Sequence, residues 1–578
     1  TIPSDGDVRP VASLLADSEL FDKARSALER IGSDNARTAL RSALDTATPE
    51  QQCALLDSLG ELKDTESQET IANFVKNDRA EIRLAAIRAI AKIGLFQSAP
   101  IIFPPLDRFL HDPATPPSQK IQAIDAGLRY AHAMEEISTT HLEARNLACH
   151  IYGRTLGMES GAYLSAALAG LGRSGTEVFV PQVIRLLNHS DLRTRQSAAN
   201  ALKVMKGEPV TDRLIAEFPA QDKEIQYRLL SVFGARKSSK TFPILNAAAQ
   251  SDDLEYRKKA LAALGDTAQS DACEILISFC KQNTEEGQIA RDALLRLAGE
   301  LKDKGENISA GLAFNSVLQS STDKKPCFLA LEGITASPTA EAIDSVLRVA
   351  DLPEYKTAVI PALVSLTSVH SNTDTMNQSA RLIQKLQSLQ PPFDFLMQAI
   401  QQVKKINPSF ESALLLGFVT HWKIIGPLPM EGDRGWDMNF IQEPNIERHS
   451  TYTVGNQKRE WKNVTSKEDN GKIDLLKELG TWEQSVGYAY TEITVENETD
   501  AILKLGVDDG EKIWLNDELV FNHFVARPFQ VDEDTVPVHL KAGINRILLK
   551  IYQNNMGWEF CLHITTPDGH AFPFFPMQ

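Results

Sequence analysis

The stretch IRLAAIRAIAKIG, Ile82 to Gly94, decides how the first four hundred residues are read. Leu84, Ile87 and Ala91 recur at helical spacing, so they line one side of an α-helix, and a glycine follows where the apolar stripe ends. The same pattern returns in ARSALERIG (24–32), CALLDSLG (53–60), YLSAALAGLG (163–172), QSAANALKVMKG (196–207), IQYRLLSVFG (225–234) and YRKKALAALG (256–265). Successive glycines lie 28, 34, 78, 35, 27 and 31 residues apart. A glycine just past the last helical turn takes up the positive φ that ends it, so each is expected to be a helix C-cap. Two helices this short cannot bury both stripes alone. Stacking on neighbours is the stable solution, and at about 35 residues per unit roughly eleven pairs are expected in a right-handed α-solenoid over residues 1–405. The 78-residue interval holds the proline-broken FPPLDRFLHDPATPPSQK (103–120) and is either two repeats with an eroded glycine or an insertion.

Beyond Gln390 the pattern changes. In QPPFDFLMQAIQQVKKINP (390–408), Pro391 and Pro392 start one last helix and Pro408 closes it, with residues 406–417 as a linker. From Phe418 apolar residues alternate in FVTHWKII, VGYAYTEITVE, AILKLGV, EKIWLN and NRILLKIY, separated by Gly- and Asn-rich turns. Nine or so short strands over 418–578 predict an antiparallel β-sandwich. All six tryptophans lie in it: Trp422, Trp436, Trp461, Trp482, Trp514 and Trp558.

Composition removes several function classes. The net charge is −16, and residues 411–578 carry 26 acidic against 15 basic side chains, so no basic footprint for nucleic acid exists. The six cysteines are scattered without a CxxC pair or a zinc spacing. No run of 18 apolar residues is present, so no transmembrane segment is expected. No GxSxG, P-loop or HExxH motif gives a catalytic foothold. Glu443, Glu447, Glu483 and Glu559 are available for glycoside hydrolysis, but nothing selects a pair. His132, Glu135, Glu136, His141, Glu143 and His150 form either a metal-capable patch or an ordinary solvated helix face.

Asp78, Ile82 and Arg83 before one helix, and Asp191, Leu192 and Arg193 before another, resemble HEAT repeats, particularly their phycobilisome-lyase-like variants. That resemblance implies a scaffold for protein partners and carries no lyase activity with it. The segments WKIIGPLP (422–429), LGVDDGEKIWLNDELV (505–520) and WEFCLHI (558–564) resemble galactose-binding-like jelly rolls appended to exported proteins of planctomycete-type bacteria, themselves similar to domains of glycoside hydrolase family two. VDDGEKIWLNDELV also resembles the Asp-Asp segment of protective-antigen-type adhesin sandwiches. That likeness implies calcium on Asp508 and Asp509, completed by Asp532 and Asp534; the other reading of Asp-Asp-Gly is an acidic turn without an ion.

Trp422, Trp514 and Trp558 sit between aliphatics and are expected in the core. Trp436, Trp461 and Trp482 sit in polar surroundings, where each either stacks on a sugar ring or plugs one end of the sandwich. Arg527, close to Asn522 and His523, either serves a loop rim or pairs with a carboxylate. The expected protein is a non-catalytic scaffold: a solenoid surface for a protein partner and a sandwich for carbohydrate. The alternatives are a structural or oligomerisation component of an envelope assembly, and an accessory subunit of a polysaccharide-degrading system. A chain starting at Thr1 fits a trimmed signal peptide or a cut end, and with the exported relatives of the sandwich gives an expected periplasmic or cell-surface location.

Overall fold

The computed structural model describes residues 8–137, 142–157, 161–369, 375–430, 432–444, 446, 451–454 and 457–576. Among these, 24 helices between Arg9 and Ile406 form a solenoid, and antiparallel sheets follow from His421. The chain divides into two compact units, residues 1–297 and 298–578, so the last helices belong to the same unit as the sheets.

A side chain four residues past the helix N-cap sets the repeat of the first unit. Arg83 Nη1 donates to the Asn77 and Asp78 carbonyls, both at 2.8 Å. Arg195 Nη1 donates to the carbonyls of His189 (2.7 Å) and Ser190 (2.8 Å), and Arg257 Nη1 to that of Ser251. Gln52 and Gln226 hold the same place, donating to Leu44 (3.1 Å) and to Phe218 and Gln221 (both 3.2 Å). Carbonyls at the end of one helix and in the turn after it lack intrahelical partners, and the second helix of each pair returns the donors that satisfy them. Asp191, Asp222 and Asp253 cap the second helices in turn, each accepting a backbone N–H. Arg195 is thus the staple of its repeat.

Only two of the glycines expected as C-caps fill that role with positive φ: Gly32 (60°) and Gly94 (73°). Gly207 instead starts the helix Glu208–Glu217. Gly60, Gly172, Gly234 and Gly265 keep ordinary φ and mark close approach to the next repeat. A Cβ on Gly60 would meet Ala89 Cα at 2.8 Å, one on Gly265 would meet Ala293 Cα at 2.7 Å, and Gly172 and Gly234 face Ala201 and Ala263. A side chain there would push successive repeats apart.

The 78-residue interval resolves into two helix pairs, Ala99–His111 with Pro117–Glu136 and Leu142–Thr155 with Gly161–Ser174. Pro104 and Pro105 lie inside the first of these helices without ending it.

Among the described residues, the second unit ends in thirteen strands. They are β1 (His421–Pro429), β2 (Tyr452–Val454), β3 (Gln457–Arg459), β4 (Lys462–Thr465), β5 (Ile473–Asp474), β6 (Ser485–Val495) and β7 (Thr499–Val507). They continue as β8 (Glu511–Leu515), β9 (Glu518–His523), β10 (Asp534–Leu540), β11 (Gly543–Gln553), β12 (Glu559–Thr565) and β13 (Phe575–Pro576). One sheet runs β4-β1-β6-β11-β8-β9 with β13 on β6, a second runs β10-β7-β12-β5, and β2-β3 is a hairpin. The two larger sheets share one core. Trp422, Ala489, Ile513 and Leu549 of the first meet Leu505, Phe560 and Leu562 of the second. Alternate residues of the first sheet (Tyr488, Tyr490, Trp514, Leu548 and Tyr552) point away into a second apolar layer with Met430, Trp436 and Ile441. Strand β6 is consequently buried on both faces.

Within the same unit, Asp469 accepts from Ser412 Oγ at 2.6 Å and pairs with Lys404, tying the last helix and linker to the sandwich. His563 stacks on Phe418 at 4.2 Å, with Phe393 at 5.5 Å on the last helix.

Candidate functional site

The Asp508-Asp509-Gly510 turn between β7 and β8 is a hub for loops at one end of the sandwich. Asp509 is 4% exposed, and its two carboxylate oxygens accept backbone N–H groups from two other loops, Arg527 at 3.2 Å and Asn554 at 2.5 Å. Asp508 donates its own N–H to Glu559 O at 2.9 Å and turns its carboxylate toward Gly557. Burial raises both carboxyl pKa values above the usual range, and for Asp508 the Asp509 charge adds to it.

The four aspartates expected to hold calcium do not gather. Asp532 accepts from His563 Nδ1 at 2.9 Å and lies 3.7 Å from Lys504, while Asp534 pairs with Arg527. Calcium needs six to eight oxygens around one point, and these carboxylates face separate partners. Among the described residues, the ligand-type atoms that do converge, within 4.8 Å of one another, belong to Glu511, His523 and Asp534. Arg527 already provides a cation there. Its Nη2 lies 3.2 and 3.1 Å from the two Glu511 oxygens and also bonds Asp534, and its Nε lies 3.4 Å from Glu533. Arg527 thus takes the carboxylate-pairing alternative and is itself 90% covered. Burial, reinforced by the Asp534 hydrogen bond, pushes the Glu511 carboxyl up to about 9, so at neutral pH it is an acid rather than a carboxylate. Asp534 is lowered: burial opposes its ionisation, but bonds from Arg527 and Glu511 outweigh that.

The polar-context tryptophans have three different fates. Trp436 takes the buried alternative and is 5% exposed. Its Nε1 donates to Asn522 Oδ1 at 3.1 Å, Phe524 lies 5.1 Å from its ring, and Lys512 Nζ stands 4.7 Å over its face. Lys512 and Lys550 are cross-strand partners, and both donate to the Trp436 carbonyl, at 3.2 and 2.8 Å. Lys550 is 1% exposed, reaches Met438 O at 2.7 Å and has Phe440 and Tyr488 rings within 5.6 Å. This pair fastens the segment around Trp436 to the outer face of the sheet. Sequence reading missed both lysines, because a lysine at an outward strand position reads as solvated. Trp461 is half-buried against the same layer. Trp482 is open at 40% exposure, with the Arg459 guanidinium 5.6 Å from the ring centroid.

Two residues beyond Trp482, Gln484 Nε2 donates to Asn554 Oδ1 at 2.6 Å, and the Tyr552 hydroxyl lies 3.3 Å from both Gln484 Oε1 and Asn554 Oδ1. Phe524 packs on Tyr552 at 4.8 Å. An exposed indole, an amide pair and a phenol therefore share the end organised by Asp509.

The carboxylates considered for hydrolysis are dispersed. Glu443 accepts from Tyr488 OH at 2.7 Å, Glu559 pairs with Lys472 at 2.9 Å and Glu483 is exposed; Glu447 lies outside the described residues. In the histidine patch, Glu135 Oε2 lies 3.5 Å from His132 Nδ1 and also bonds Arg173 (2.7 Å) and the Tyr152 hydroxyl (3.1 Å), and His141 lies outside the described residues.

In the first unit, the helices Leu192–Val204, Lys223–Ala235 and Leu254–Leu264 jointly line a groove of about 490 Å³. Leu192 borders it, and Arg195, Tyr227, Arg228, Glu255 and Lys259 supply polar chains.

A profile of the HEAT-repeat family matches residues 211–296, which include two of the three groove helices. No curated protein matches the chain. Among solved structures, it is similar to the karyopherin Kap121p bound to the extreme C-terminus of the protein phosphatase Cdc14p, at 12% identity over 80% of this chain and 60% of that one, with a TM-score of 0.42. It is also similar to yeast importin-beta, Kap95p, at 11% identity over 70% and 61%, TM-score 0.35, and to human deoxyhypusine hydroxylase in complex with glycerol, at 17% identity over 52% and 96%, TM-score 0.20. The chain covers less than two thirds of either karyopherin.

Proposed function

We propose that this chain is a non-catalytic binding scaffold whose helical repeats take a protein segment and whose sandwich takes a carbohydrate. The observation that carries the first half is the groove across Leu192–Val204, Lys223–Ala235 and Leu254–Leu264, where three consecutive repeats present side chains to one channel. Repeats stacked in register offer an extended row of such side chains, a geometry suited to a chain segment rather than a compact metabolite. Arginine, lysine and glutamate alternate along it, so an occupant carrying both signs of charge fits best. The second half draws on the exposed Trp482 and the amides beside it.

The test places a photo-crosslinking side chain at Gln196 or Ser231 and identifies what is trapped in the native source. The purified partner is then bound to the Arg228→Glu, Lys259→Glu double variant and to a Glu274→Lys control on a different helix. The reading requires loss of binding in the double variant alone. Equal binding to all three chains removes the groove from the function.

A further inference from the structure

We propose that the Trp482 indole and the Gln484–Asn554 amide pair form a cation-independent subsite for a neutral pyranose, an assignment that rests on the carbohydrate reading above. Three features support it. The first is exposure: Trp482 is 40% open while the other five tryptophans are buried or half-buried, so its ring alone among them is open to an apolar ligand face. The Arg459 guanidinium on the ring and the Ser485 Oγ bond to the Trp482 carbonyl (3.3 Å) fix how the indole is presented.

The second is hydrogen-bonding capacity. Gln484 spends one N–H on Asn554 Oδ1, and its backbone N–H bonds the Asn554 carbonyl at 3.2 Å. Asn554 Nδ2 has no protein partner among the described residues, and Gln484 is exposed with a second N–H to offer. Amide donors beside amide oxygens match adjacent sugar hydroxyls, which donate and accept at once, while the apolar C–H face of a pyranose covers an indole.

The third is rigidity and charge. Asp509 holds the Asn554 backbone at 2.5 Å, so the amide is positioned before any ligand arrives. Glu483 next to Trp482 offsets the Arg459 charge over the ring, so this end offers no net positive charge to select uronates or sulfated sugars, which leaves neutral ones. Asp509 acts here through its backbone contacts, so no calcium is required.

The full chain is titrated with soluble neutral galacto- and gluco-configured oligosaccharides, by calorimetry and tryptophan fluorescence, with and without EDTA. Trp482→Ala and Asn554→Ala each weaken binding by about tenfold, Trp482→Phe recovers part of the loss, EDTA changes nothing and Phe575→Ala binds as the parent does. Circular dichroism of each variant separates loss of the site from loss of fold. Parent binding that survives both alanine substitutions overturns the subsite and leaves the carbohydrate reading standing. Binding abolished by EDTA overturns cation independence. Failure of the parent chain to bind any of these sugars removes the carbohydrate reading itself, and the subsite with it.

Discussion

Gly60 packs against Ala89 of the following repeat so closely that a Cβ on it would stand 2.8 Å from the Ala89 Cα and 3.1 Å from Lys92 Cδ. Gly60→Ala is expected to destabilise the helical array by about 1–3 kcal/mol, because backbone cannot step aside as a flexible side chain can. Gly299, also helical, has nothing within 4 Å of a built Cβ. Gly299→Ala should therefore stabilise by about 0.5–1 kcal/mol through helix propensity. Thermal unfolding of the two variants should shift in opposite directions.

Arg195→Ala removes two charged hydrogen bonds to the carbonyls of His189 and Ser190, at an expected cost of about 2–3 kcal/mol. Gln226→Ala, one repeat later, loses neutral bonds near 3.2 Å and should cost about 1 kcal/mol. Urea unfolding ranks the two, and hydrogen exchange should quicken around residues 186–195 in the first variant and 218–226 in the second. A reversed ranking would show that the staple works through packing instead of charge.

Asp509→Asn keeps the shape but replaces one of two acceptor oxygens with an amide that cannot accept. An exposed loss would be small, but these bonds are buried, and about 1–3 kcal/mol is expected. In Asp509→Ala, which removes both acceptors, the amides of Arg527 and Asn554 should exchange faster together, since one carboxylate holds both loops. Faster exchange of only one would mean that the loops are fixed separately.

The Glu511 carboxyl, raised to about 9 in the folded chain, keeps its proton where the unfolded chain, near 4.5, has released it. The folded state then binds more protons, so stability from this group is full below about pH 4.5 and is lost progressively as pH rises toward 9. Lys550, depressed by burial to about 8, acts with the opposite sign above that pH, and Asp508, Asp509 and His539 are also raised, so Glu511 is read between pH 4.5 and 8 as the difference between parent and variant. Glu511→Gln mimics the protonated acid and should flatten this slope, gaining on the order of 2 kcal/mol over the parent at pH 8. Parallel pH–stability curves for parent and variant would show that Glu511 is ionised when folded.

The helical class, the repeat and the change to strands near Phe418 were legible because each is a local periodicity. Asp191 and Pro392 announced helix starts for the same reason. The role of the glycines was not legible: the αL cap of Gly94 and the close approach of Gly60 look alike in sequence, and the atom that separates them sits 29 residues further on, at Ala89. The candidate site was harder still. Trp436 and Trp482 both stand among polar residues, yet one is roofed by Lys512 and Lys550 and the other is open.

Sequence alone determined that amphipathic helices must stack and that an alternating, aromatic-rich segment must fold as sheets, because burying apolar surface at those periods admits few other arrangements. Tertiary structure alone decided what the polar residues do. Asp509 became a clip for two loops, Arg527 became the cation among three carboxyl groups, and Gln484 met Asn554 across seventy residues. Those outcomes depend on which loops meet, and hydrogen-bond geometry is set to a few tenths of an ångström by packing that no local pattern encodes.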